Sequence, residues 1–117
     1  VAKILEASDL KLKFEPAYDN AQALLCPRCG SANLHHETVL SFHRAEEDGE
    51  VLMTRIEGAE CIVNMPVNNL KNPSRRRGAV RVGFCCESCD KVGHVGVTLN
   101  IIQHKGVTYF EWCLVEA

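Results

Sequence analysis

Two short cysteine pairs constrain this chain more than any other feature. Cys26-Pro27-Arg28-Cys29 and Cys86-Glu87-Ser88-Cys89 are separated by 56 residues, 30 through 85. A Cys-x-x-Cys turn lets two thiolates converge on one ion while backbone amides in the turn point at the sulfurs. Two such turns supply a closed tetrahedral set of four sulfurs, so the spacing predicts one structural zinc ion held by Cys26, Cys29, Cys86 and Cys89. Redox dithiols, buried thiols and an iron–sulfur cluster are the competing readings of the same pairs. A thioredoxin-like motif is expected once, at a helix start after a strand. Here there are two pairs, each followed by a turn residue, Gly30 and Asp90.

The remaining cysteines sharpen the assignment. Seven in all is an odd number, which does not suit a secreted disulfide framework. Cys61, Cys85 and Cys113 stand outside the pairs. Cys85 competes with Cys86 for the fourth position. Val80, Val82 and Phe84 alternate on one face of a strand over Ala79–Cys85, which places Cys85 on the other face with Arg81 and Gly83. Cys86 therefore completes the set. Four thiolates with one Zn²⁺ add −2 to the formal charge of −2, and Arg28 and Lys91 are placed to offset that anionic centre.

The rest of the chain reads mainly as strands, with little helix. Leu10, Leu12 and Phe14 alternate with charged residues in a half-buried strand closed by Pro16. Residues 16–25 read either as a short helix or as a linker. Leu34–Arg44 and Val51–Glu57 form a hairpin around the acidic turn Ala45–Glu50. Residues 59–78, with four Asn and two Pro, read as one long irregular loop with at most a short strand at Cys61–Met65. Val92–His104 is a long strand with Val95, Val97, Leu99 and Ile101 on one face. Val107–Val115 returns after Lys105-Gly106 and is apolar on both faces, which predicts a central or doubly covered strand. At 117 residues and 46% hydrophobic content the chain suits a single domain, a small antiparallel sheet pinned by metal.

Charge and motif content narrow the function classes. No run approaches the ~18 apolar residues of a membrane helix. Charges at Lys3, Glu6, Asp9 and Lys11 do not read as a secretory leader, so the expected location is cytoplasmic. Lys71, Arg75, Arg76, Arg77 and Arg81 form a run of five positive charges without a negative one. The other 106 residues hold eight basic and fifteen acidic residues, or −7. Such a run can grip nucleic-acid phosphates, dock an acidic protein partner, or simply be solvated. Tyr109, Phe110 or Trp112 would add a base-stacking face if exposed. His35, Glu37 and His43 fall on one face of the first hairpin strand and admit a second metal site or an acid–base pair, with surface histidines as the plainer account. The chain has no phosphate-binding glycine loop, nucleophile elbow or zinc-protease motif. A non-enzymatic binding module is expected.

Cys-Pro-Arg-Cys-Gly at 26–30 and the strand running into Cys-Glu-Ser-Cys at 86–89 resemble a zinc ribbon. That family implies two knuckles at hairpin ends sharing one structural zinc, no catalysis by the metal, and roles in nucleic-acid or protein binding. The stretch between the knuckles is longer than a minimal ribbon's. His35-His36-Glu37, Gln103-His104-Lys105-Gly106 and Trp112 are similar to small zinc-ribbon proteins of phages and other mobile elements. This second resemblance implies a bacterial cytoplasmic setting. Its alternative role is a protein-interaction module that inhibits a host defence protein.

Overall fold

The structure is a computed structural model and describes residues 11–44, 49–74, 77–90 and 97–114. It is mainly β. Strands β1 (Phe14–Pro16) and β2 (Gln22–Leu24) pair as a small antiparallel hairpin. Strands β3 (Leu34–His43), β4 (Val51–Glu57), β5 (Glu60–Val67), β6 (Ala79–Cys86), β7 (Val97–His104) and β8 (Val107–Leu114) form one antiparallel sheet in the order β5-β4-β3-β6-β7-β8. The only α-helical turn among the described residues, α1 (Glu87–Asp90), follows β6 directly. No helix among them is long and apolar enough to cross a membrane.

The register brings the cysteine pairs together. β3 begins five residues after Cys29, and β6 runs antiparallel to it and ends on Cys86, so Leu34 faces Cys86. The pairing of these two central strands thus returns the chain to the first knuckle across 56 intervening residues.

Residues opposite one another in an antiparallel pair point their side chains to the same face. The register therefore sorts the apolar residues into two cores. At the cysteine end, Val97, Leu99, Trp112, Cys26, Cys86 and Cys89 are buried together, with Leu12, Leu24, Leu34 and Phe84 packed against them. The β1–β2 hairpin covers this core. At the far end and on the opposite face, Phe42, Val51 and Met53 bury against Leu40 and Val67. Gly78 sits beside that second core, where an added Cβ would lie 2.7 Å from the Phe42 carbonyl oxygen.

Several expectations require correction. The N-terminal strand is shorter than expected and forms a hairpin with β2. Lys11–Lys13 are outside it and Phe14 is exposed, while Leu10 falls outside the described residues. Pro16 does not close the strand from outside but pairs with Gln22 as its last residue. Residues 16–25 are neither helix nor plain linker.

The long irregular loop at 59–78 is also cut short, because Glu60–Val67 is strand β5. Pro66 and a left-handed Asn64 (φ 52°) conceal it in the sequence. An edge strand tolerates a missing amide proton, and Asn64 lies at a bulge where the β4–β5 register shifts. Of the described residues in this stretch, 68–74 and 77–78 stay irregular, with one 3-10 turn at Asn69–Lys71.

β8 is an edge strand rather than a central one. Tyr109 and Phe110 are 49% and 53% exposed, so its apolar content on both faces does not reflect double cover. Val92 and Val95 of the preceding strand lie outside the described residues.

Candidate metal centre and the basic end of the sheet

Each knuckle is built by its own backbone before any metal is considered. In the first, residues 27–29 turn tightly, the Gly30 amide donates to the Cys26 carbonyl at 2.9 Å, and the Cys26 amide donates to the Ser31 carbonyl at 2.8 Å. Gly30 takes φ 77°, a left-handed conformation that glycine adopts without a Cβ clash. The Arg28 amide points at the Cys26 sulfur, 3.4 Å away. The second knuckle is the helical turn α1, which carries Cys89 beside Cys86. The two knuckles are tied by the Glu87 amide on the Asn33 carbonyl at 3.2 Å and by the Ser88 hydroxyl on the Ser31 hydroxyl at 3.0 Å.

The four Sγ atoms of Cys26, Cys29, Cys86 and Cys89 all lie within 4.8 Å of one another. The short contacts cross between knuckles: Cys26 to Cys89 at 3.8 Å and Cys29 to Cys86 at 3.5 Å. A tetrahedron with metal–sulfur bonds of about 2.3 Å has edges of about 3.8 Å. The donor set therefore fits a four-coordinate metal ion, and the thiols are pooled across the knuckles rather than grouped as two separate dithiols. Cys86, wholly buried at 0% exposure, is the deepest of them. Cys85 is half-buried and sits opposite His35 on the other face. Cys61 is exposed on β5, and Cys113 is half-buried opposite Thr98.

The surroundings shift three of the thiols unevenly. Burial pushes the Cys26 thiol up, against the amides of Cys29 and Arg28 and together with hydrogen bonds to Cys86 and Cys29. Burial likewise pushes Cys89 strongly up, reinforced by its hydrogen bonds to Cys29, Cys86 and Cys26. At Cys29 burial also pushes upward, but the Ser31 amide and the hydrogen bonds from Cys86, Cys89 and Cys26 outweigh it and bring this thiol below its usual value. A metal must therefore displace at least the protons of Cys26 and Cys89. Lower pH favours those protons, so metal affinity should rise with pH. The expected rise is at least about 100-fold per pH unit, the slope for two protons released. Competition against a chromophoric chelator at two pH values measures the slope, and a pH-independent affinity would contradict the thiol set.

Arg28 is half-buried beside the cluster, and its Nε has no hydrogen-bond acceptor among the described residues. Lys91, the other cation expected near the knuckles, lies outside them.

The histidine face does not form as expected. The register of β3 shifts between His36 and Thr38, leaving Glu37 as a bulge. The bulge reverses the alternation, so His35 shares the face of Cys85 while His43 falls on the opposite one. His35 pairs instead with Glu87, Nε2 to Oε1 at 2.9 Å, with both side chains more than half exposed.

The basic run is divided. Lys71 is exposed at the end of the 3-10 turn. Arg75 and Arg76 lie outside the described residues. Arg81 belongs to a polar ladder across the sheet: its Nε donates to Asn100 Oδ1 at 2.8 Å, and Asn100 Nδ2 donates to Glu111 Oε1 at 3.1 Å. Asn100 is 2% exposed, so Arg81 serves to satisfy a buried amide.

Arg77 joins two cations that the sequence reading missed, Arg44 and Lys105. At the far end of the sheet, His43, Arg44, Arg77, His104 and Lys105 line one hollow. Its lining has no acidic side chain among the described residues. These residues come from the ends of β3 and β7 and from two loops, and no local pattern announces their meeting. Arg44 is braced there by Nε on the Gly49 carbonyl at 3.0 Å and Nη1 on Asn69 Oδ1 at 3.3 Å.

Comparisons with protein-family models, curated proteins and solved structures find no match to this chain.

Proposed function

We propose that this chain is a zinc-ribbon-type binding module in which one structural zinc pins the sheet and the opposite end of the sheet binds nucleic acid. The all-thiolate donor set supports zinc and a structural role, because four sulfurs leave no coordination position for a reacting water. The observation that carries the nucleic-acid reading is the hollow lined by Arg44, Arg77 and Lys105. It lies at the opposite end of β6 from Cys86, about 24 Å away at strand spacing, so the negative charge of a zinc–thiolate centre is well beyond a Debye length of ~8–10 Å.

Labelled DNA and RNA should shift in fluorescence anisotropy when the zinc-loaded protein is added. Three phosphate contacts predict an affinity loss of about 20- to 40-fold over a fourfold rise in salt. Replacing Arg75, Arg76 and Arg77 together by alanine should weaken binding and flatten that salt dependence. Salt-insensitive binding, or none, would refute the reading.

A second reading draws on β5. This edge strand exposes Ile62, Val63 and Met65 together with a backbone edge that pairs with no further strand among the described residues, a surface suited to a protein partner. Affinity purification from a bacterial lysate with and without nuclease separates the two. One protein retained after nuclease treatment favours β5 docking.

A further inference from the structure

The basic hollow adjoins a second, aromatic one. Pro73, Ile102, His104, Tyr109, Phe110 and Glu111 line it, and His104 belongs to both. Tyr109 lies opposite Ile102 on β8 and is half-exposed. It takes no part in either apolar core.

Hydrogen bonds tie the described residues on this side, Asn72, Ser74, Arg77 and Gly78, to one another and to β7. The Ser74 hydroxyl donates to the Gln103 carbonyl at 2.9 Å and accepts from the Arg77 amide at 3.0 Å. Asn72 Nδ2 donates to the Arg77 carbonyl at 2.8 Å, and the Gln103 amide donates to the Gly78 carbonyl at 3.2 Å. These hydrogen-bonded residues place Pro73 at the aromatic hollow and Arg77 at the basic one.

Lys105 adds an independent sign. It occupies the first position of the two-residue β7–β8 turn with φ 51°, followed by Gly106 at φ 76°. Both positions of such a turn require positive φ, and Asn, Asp or Gly is the usual first residue. A lysine there is held in a disfavoured conformation that brings its charge to the basic hollow.

We infer that the two joined hollows bind single-stranded nucleic acid, with phosphates against Arg77 and Lys105 and a base stacked on Tyr109. This deepens the nucleic-acid reading and rests on it. The aromatic hollow decides for a single strand, because a duplex presents no free base faces to an exposed ring. Glu111, at the aromatic end, repels phosphate and so directs the backbone toward Arg77 and Lys105.

The test titrates the zinc-loaded protein against labelled oligo-dT and against a duplex of equal length. Oligo-dT should bind at least ~10-fold tighter. Tyr109→Ala should weaken oligo-dT binding by about 10-fold and leave duplex binding unchanged, while Tyr109→Phe keeps the ring and restores affinity. Lys105→Glu should weaken both probes. Both positions, 105 and 109, are exposed, and unchanged metal content verifies the fold. Equal or tighter duplex binding, or full affinity in Tyr109→Ala, would overturn the single-strand inference and leave nucleic-acid binding standing. No binding of either probe would overturn both.

Discussion

Cys86→Ser should abolish metal binding and with it the cooperative unfolding transition. Cys86 is the most deeply buried of the four thiols and the point where β6 meets the first knuckle. A structural zinc contributes on the order of 10–16 kcal/mol of apparent binding free energy in finger peptides, while a whole domain is stable by only about 5–15 kcal/mol. Losing one ligand of four therefore removes more stability than this sheet holds in reserve. Metal analysis of the purified protein should fall from about one equivalent to nearly none, and thermal melts should lose their sigmoid. Cys61→Ser, Cys85→Ser and Cys113→Ser are the controls and should keep the metal. Retention of metal and melting point in Cys86→Ser would refute the assignment, as would loss of the metal in Cys85→Ser alone.

Trp112→Ala should be the most damaging substitution away from the cysteines. The indole is 6% exposed and stands edge-on to Phe84, with centroids 6.0 Å apart and planes at 65°. It packs in the same core as Cys26, Cys86 and Cys89. Emptying that volume should destabilise by about 3–5 kcal/mol, a fall in melting temperature of at least ~12 °C for a domain of this size. Trp112→Phe should be far milder. Indole Nε1 is buried and has no acceptor among the described residues, and removing an unpaired buried donor relieves a desolvation penalty of about 1–3 kcal/mol. The same residue is the chain's single tryptophan, so its emission should shift on metal removal. An unchanged melt in Trp112→Ala would mean that the cysteine-end core is misassigned.

What could be read from the chain was whatever local chemistry decides. The four cysteines were legible because Cys-x-x-Cys spacing is a covalent constraint, and the choice of Cys86 over Cys85 followed from simple alternation along β6. The β3–β4 hairpin was legible for the same reason. β5 was hidden because Asn64 and Pro66 break a strand pattern, yet both are tolerated at a bulged edge. The outer position of β8 was hidden because periodicity reports which residues are apolar, not what lies next to them. One inserted residue, Glu37, was enough to separate His35 from His43. Arg81 looked like part of a basic run, but its partner Asn100 is nineteen positions away. The cations of the far hollow come from a strand end and two loops that only the folded sheet collects.

Gly78 carries a consequence for that hollow. The approach of chain to chain at this point is backbone against the Phe42 carbonyl, with no room for a methyl group. The stand-off between Arg77 and the tip of β3 is therefore set by main-chain contact and not by any side chain. Neighbouring residues can be exchanged to retune charge or grip without altering that spacing, whereas the smallest possible enlargement at position 78 would lift the arginine away from Arg44 and Lys105 together.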